Sequence, residues 1–501
     1  MINVNVNKFQ SMCKMHNFCA RRNEVTVRAE KEESAIRFTE KGSRKRDHKK
    51  GGCTMKKQIS MLLAASMVMT MGGLSTVAQA EEGSGDKTTV VFWNSWTGGD
   101  GETLEALVNK FNEEQDEVYV DMTRTTSFAD MLQTSLPTGE AADLILLSTN
   151  EITRYESYLR PMSDIWTNTA LKEEDFSEAY MSMCRYNDEL YAIPFQISTY
   201  MMYYNKDLFE QAGVEGVPTT FDEWTEAAEK VSALSTDDNP IYGSGLFYCY
   251  NGQNQSVMQR FGTGYMIEGD EENGFHANLL ENEAFANAMI WMKNLYDNNY
   301  NPKERDIDSM MAAGQIGVMT NGGWLKGALD ASGVNYGIAK LPTVTGEDLN
   351  EWALGDLASF MVTTSATDET AAAAEKFIEW WMTGTGLPAS ELTQNVDYSN
   401  VTPNEEWSIS MCYLNAYLPA VASEEYQAVD ILVDLTPSET AQVQMFTAPS
   451  TLFYSDAATL HGTFVEDWIF NGPTEPTYDD VQDFFAGYQD DLESYISDYY
   501  G

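Results

Sequence analysis

A chain of 501 residues with 31 basic and 77 acidic side chains carries a formal charge of −46. That field repels nucleic acid and anionic lipid headgroups and disfavours phosphorylated or strongly acidic ligands, which leaves neutral or cationic partners. Six cysteines in this length exclude a disulfide scaffold.

Residues 55–80 begin with Met55, Lys56 and Lys57, continue through an apolar run from Ile59 to Leu74, and end in Ala78-Gln79-Ala80. A charged start, a short apolar core and an A-x-A end predict a secretory signal cleaved after Ala80. The run is interrupted by Ser66, Thr70 and Gly72-Gly73 and is too short to cross ~30 Å of hydrocarbon comfortably. Residues 1–54 are basic and aperiodic and do not suit the front of a signal. Lys50-Gly51-Gly52 can be encoded by a purine-rich ribosome-binding sequence, so translation is expected to start at Met55. Residues 81–501 then hold 16 basic and 71 acidic side chains, a charge of −55. Their three cysteines, Cys184, Cys249 and Cys412, allow at most one disulfide, and no cysteine near the signal's end encodes a lipid anchor. This length suits two domains of about 200 residues each.

Thr88–Trp93 is β-branched and aromatic and predicts a buried strand. A Gly-rich turn follows, and Leu104, Leu107, Val108 and Phe111 then share one helical face, with Asp100 the expected N-cap. Val118–Thr123 predicts a second strand, Phe128–Leu136 a helix, and Asp143–Leu147 a third strand with the continuous apolar character of a sheet covered on both faces. This alternation predicts a parallel α/β sheet, whose ligands bind at the strands' carboxyl ends: Ser95–Asp100, Thr125–Phe128 and Ser148–Glu151. Further helices are expected at Asp222–Leu234, Glu283–Asn298, Ala371–Met382 and Val481–Ile496, and a strand at Gly317–Thr320.

Five segments, VVFWNSWTGGDGETLEALVNKFNEE (90–114), GEAADLILLSTNEITRY (139–155), YAIPFQISTYMMYYNKDLFEQAG (191–213), AAGQIGVMTNGGWLKGAL (312–329) and NGPTEPTYDDVQDFFAGYQDDLESY (471–495), resemble the maltose-type extracellular sugar-binding proteins of ABC importers, extracellular solute-binding protein family 1. The resemblance implies a type II-like, two-lobed periplasmic-binding-protein (Venus-flytrap) fold of α/β class, each lobe a sheet flanked by helices. It implies crossings near Ser198–Met201, Ala353–Asp356 and Pro403, with a first lobe of 81–199 and 355–403 and a second of 200–354 and 404–501. The implied protein is a monomer without catalytic activity, metal or cofactor. It captures a mono- or oligosaccharide outside the cytoplasm and delivers it to a membrane permease.

Sugars offer apolar C–H faces to aromatic rings and hydroxyls to Asp, Asn, Gln, Glu and Ser. Trp96, beside Asp100 in the first strand-end loop, is a candidate on the strand-end rule, with core packing as the alternative; Trp93, inside the strand, is expected in the core. The resemblance implies hydroxyl contacts from Asn150 and Glu151, where N-capping is Asn150's other reading, and from Gln196 and Ser198 at the first crossing. It implies stacking by Trp324 after Asn321-Gly322-Gly323 and by Tyr250, with core packing as the other reading of each, and by Phe453 and Tyr454, where the family often has Trp in place of Phe453. Gly355 and Asp356 fall on the second crossing.

Enzymatic readings find little footing. A glycosidase needs two flanking carboxylates, but 71 acidic residues supply pairs by chance. His276 and His461 stand far apart outside any motif, and there is no H-E-x-x-H, G-x-S-x-G or P-loop. Glu268–Gly274 is acidic but departs from a Ca²⁺ loop and reads as a solvated turn. A binding protein for another neutral or cationic solute, a secreted carbohydrate-active enzyme and a surface adhesin are the alternatives; an adhesin would bring repeats or a wall-anchoring tail.

Overall fold

From Val90 to Asn94 every second residue is buried, which is the mark of a strand with one face turned into the core. In the computed structural model, residues 87–248, 251–263, 266–270, 274–346, 355–386, 401–436 and 454–500 are described. The chain divides into two units, Met1–Gln79 and Ala80–Gly501, and all described residues belong to the second. The expected signal segment and the start at Met55 lie outside the described residues.

In chain order the main elements begin with β1 (Thr88–Asn94), α1 (Gly99–Glu114), β2 (Val118–Arg124), α2 (Phe128–Ser135) and β3 (Leu144–Ser148). β4 (Ile193–Thr199), β5 (Met201–Asn205), α3 (Phe221–Ser232), β6 (Tyr242–Gly245), α4 (Asn251–Arg260) and α5 (Glu283–Asp297) follow. Next come α6 (Ile307–Ala312), β7 (Ile316–Asn321), α7 (Trp324–Ser332), β8 (Tyr336–Ala339) and β9 (Gly355–Val362). α8 (Asp368–Thr383), α9 (Pro403–Met411), α10 (Tyr454–Asn471) and α11 (Tyr478–Tyr500) complete the series.

Two principal sheets result. The first has the order β2-β1-β3-β9-β4; β2, β1 and β3 run parallel, while β9 is antiparallel to both β3 and β4. The expected parallel sheet is therefore mixed, because β9 arrives from the far side of the chain and closes against β3. The second sheet has the order β8-β5-β7-β6, with only β7 and β6 parallel. Helices cover both faces, which makes the fold α/β. The acidic stretch around Glu268 supplies an antiparallel hairpin, Ile267–Asp270 with Gly274–Ala277.

A single residue, Tyr200, separates β4 of the first sheet from β5 of the second. The return crossing ends beside it, since Gly355 pairs with Thr199 and Asp356 with Ser198. Pro403 acts otherwise than expected: it is the first residue of α9, where its fixed φ suits a helix and no N–H is needed, and Thr402 and Glu405 form a capping box around it. Residues beyond it, placed with the second lobe by sequence, lie against the first sheet, as the pairings Ile197 with Leu414 and Phe176 with Tyr417 show.

Strand alternation sorts the second sheet's side chains. Met201, Tyr203 and Met319 join the apolar cluster that fills the first sheet, whereas Met202 and Val318 join a separate cluster with Trp224, Leu295 and Trp468. One core thus runs continuously from the first sheet onto one face of the second.

Candidate ligand-binding cleft

At the carboxyl end of β1, Asn94 turns the chain by accepting a hydrogen bond from the Trp96 amide at 3.0 Å, while its carbonyl accepts from Thr125 N at 3.1 Å. Gly101 is required here, because a Cβ would stand 2.1 Å from the Trp96 carbonyl oxygen. Gly98, not Asp100, is the N-cap of α1. Asp100 lies inside the first turn, buried, with its Oδ1 accepting from Gly101 N at 2.7 Å; burial raises its pKa above the ordinary carboxylate value, and the Gly101 bond partly offsets this.

Trp96 is half-buried. Its ring stacks on Trp407 of α9 at 5.7 Å and lies 5.2 Å from Phe195. Trp407 is completely enclosed and donates from Nε1 to the Gln196 side-chain oxygen Oε1 at 2.6 Å. Gln196 therefore anchors the aromatic stack through the oxygen the sequence assigned to a ligand. Trp93, expected in the core, packs against it half-buried.

At the end of β3, Thr149, Asn150 and Glu151 are all buried, and Glu151 lies 3.7 Å from Arg154. The side chain that caps this turn is Ser148, accepting from Asn150 N at 3.2 Å, so the capping role weighed for Asn150 belongs to its neighbour. Two polar atoms at these adjacent strand ends, Asn94 Nδ2 and Thr149 Oγ1, are buried without a partner among the described residues. Ser198, also buried, sits where β4 approaches the crossing.

The second sheet contributes a cavity of about 220 Å³ at the end of β7. Phe247, Gln253, Asn321 and Trp324 line it together with the Arg305–Asp308 segment. Asn321 organises this wall: its Nδ2 donates to Asp308 Oδ1 at 2.7 Å and its Oδ1 accepts from Gly322 N at 2.9 Å. Burial and the neighbouring Asp306 raise the Asp308 pKa, and the Asn321 bond opposes them. Arg305 is paired with Glu466 at 2.8 Å.

Gly322 and Gly323 fit because nothing larger would. A Cβ at Gly322 would stand 2.0 Å from the Trp324 ring, and one at Gly323 would stand 1.9 Å from the Met411 carbonyl oxygen at the end of α9. Trp324 itself packs against both apolar clusters and lies edge-on to Tyr200 at 5.5 Å, and the helix it begins packs on α1 and α9. Trp96 and Gly323, the residue before Trp324, thus meet the same helix one turn apart, at Trp407 and Met411.

Tyr250 and Phe453 lie outside the described residues. Gly355 and Asp356 begin β9 and Tyr454 begins α10, each described by its backbone. Asn94, Thr149, Gln253 and Asp308 escaped sequence reasoning. The strand-end rule reached the first two positions, but nothing in the sequence separates Gln253 or Asp308 from the many other polar residues. Cys184 and Cys412 are buried free thiols, and burial raises Cys184 to about 12.

Residues 106–395, more than half of the chain, match the bacterial extracellular solute-binding protein family, and the chain belongs to that family. Membership implies export, and among the described residues no helix is long and apolar enough to cross a membrane. The maltotriose-binding protein of Pyrococcus abyssi is 25% identical over 309 residues, covering 61% of this chain. The match spans 64% of that relative, just under two thirds of its length. Among solved structures, the GacH receptor of Streptomyces glaucescens, determined unliganded and with acarbose, superposes with a TM-score of 0.62 at 19% identity, over 82% of this chain and 99% of its own. UgpB from Mycobacterium tuberculosis, in complex with glycerophosphocholine, gives 0.64 at 20% identity over the same shares. These likenesses show the two-lobed periplasmic-binding-protein fold.

Proposed function

We propose that the protein captures a mono- or oligosaccharide in the cleft between its lobes and delivers it to the permease of an ABC importer, without chemical conversion. One observation carries the reading: the Asn321–Trp324 turn, with its polar cavity, is held against the same helix that supports Trp96. That shared helix, close to the junction where the chain crosses between sheets, supports a reading in which aromatic faces and hydroxyl-binding groups meet a sugar there.

In this reading Trp96 and Trp324 take the sugar's C–H faces, while Asp100, Asn150, Glu151 and Ser198 take its hydroxyls. Gln196 holds the platform from beneath; Tyr250, Gly355, Asp356, Phe453 and Tyr454 complete the set that the family pattern implies. The lobes divide at Tyr200 and before Gly355, with residues 404–436 riding on the first lobe. Ligand contacts to both lobes favour the closed state, and the permease reads that state. The protein acts as a monomer, exported without a lipid anchor.

The test is thermal-shift screening of residues 81–501 against neutral sugars. A ligand that binds only the folded state raises the melting temperature by mass action, about 2.7 kcal/mol at a hundredfold excess over Kd. A shift with the sugar recovered intact supports capture without catalysis. Recovery of a hydrolysed sugar sinks it.

A further inference from the structure

Gln253 is 2% exposed and lines the cavity at the end of β7. Its Oε1 accepts from Phe247 N at 2.9 Å, which fixes the amide orientation and turns Nε2 toward the cavity. Nε2 forms no hydrogen bond among the described residues, which leaves this donor available to a ligand in the cavity. On the same wall, Asn321 holds Asp308 through Oδ1 and leaves Oδ2 open. Asp306 is engaged in capping α6, accepting from Ser309 N at 3.2 Å, and Arg305 is neutralised by Glu466. The wall therefore offers one fixed donor, one fixed anionic acceptor and the Trp324 ring, with a net negative field from the two aspartates.

We infer that Gln253 and Asp308 are specificity-determining residues that read the hydroxyls of a neutral sugar beside Trp324 and reject its anionic counterparts. The inference rests on the carbohydrate reading above and adds the charge class of the ligand. A hydroxyl can donate to Asp308 and accept from Gln253 at once, whereas a carboxylate or phosphate at the same place would face Asp308 and Asp306 across a partly desolvated gap. Neutral ring hydroxyls satisfy both groups, and a protonated amino substituent is tolerated.

The experiment is titration calorimetry on residues 81–501 with glucose, galactose, maltose and maltotriose, then with glucuronic acid, galacturonic acid and glucosamine. The wild type is expected to bind at least one neutral sugar at least a hundredfold more tightly than either uronic acid. Asp308→Asn turns a donor toward the cavity and is expected to weaken the neutral sugar at least tenfold and to shrink discrimination against the uronic acid below tenfold. Gln253→Glu keeps the acceptor for Phe247 N while reversing the other atom, and is expected to weaken binding by a similar factor; apo melting curves report whether each variant is folded. Neutral and uronic sugars bound alike by the wild type, or a folded variant within twofold of wild type, would overturn the inference while leaving sugar capture intact. Failure of every sugar to bind would overturn both.

Discussion

The two candidate tryptophans sit on opposite kinds of support. Trp96 rests on an aromatic stack, Trp407 and Phe195, that is part of the first sheet's core. Trp324 touches the edges of both apolar clusters, but the turn that carries it is set by two close-fitting glycines and a hydrogen-bonded polar wall, with Asn321 linking Asp308 to the turn. The contrast teaches that one side of the cleft is made rigid by packing and the other by backbone fit, so the two sides should fail differently when perturbed.

Removing the pillar under Trp96 is the harshest test. Trp407→Ala deletes a fully enclosed indole and strands the Gln196 oxygen, and should cost about 3–5 kcal/mol in urea unfolding. A loss below about 1 kcal/mol would show that the stack is not what stiffens the first side. Acid should single out the second side. His461 is completely buried in α10, and desolvation lowers its pKa to about 3 from an ordinary 6.5. The unfolded chain takes up this proton as pH falls below about 6.5 and the folded one does not. Stability should therefore fall by as much as about 1.4 kcal/mol per pH unit between about 6.5 and 3, and the loss should be shallower in His461→Met. Equal slopes in the two proteins would contradict the assignment.

Gly323→Ala should cost about 1–3 kcal/mol, because the new methyl meets Met411 backbone and not a movable side chain. Differential scanning calorimetry reads that change. Trp324→Ala should be the mildest for folding, since the ring is half-buried, while weakening sugar binding by roughly tenfold or more. A binding constant unchanged by Trp324→Ala would remove the ring from the cleft.

Much of the first sheet was legible in sequence because its strands are short apolar runs between strongly periodic helices, as with Leu104, Leu107, Val108 and Phe111. β4, β5 and β9 were not read from periodicity, since their polarity follows from pairing partners distant in sequence: Ser198 and Gln196 are buried because β9 lies beside them. The crossing near Pro403 is implied by the family pattern alone, whereas the Thr402/Glu405 capping box marks this proline as a helix start. Trp324 stands out in the sequence through its Gly-Gly turn and the family pattern, whereas Gln253 and Asp308 are made distinctive only by the atoms they meet.

Joining β4 to β5 through a single residue, Tyr200, has a consequence for how far the halves can swing. Only that residue's two soft torsions lie between the last rung of one ladder and the first of the next. Motion there is confined to a narrow arc, and little disorder has to be surrendered when the halves come together. A second residue at this joint would double the torsions and add about 1–2 kcal/mol of backbone freedom for ligand binding to overcome.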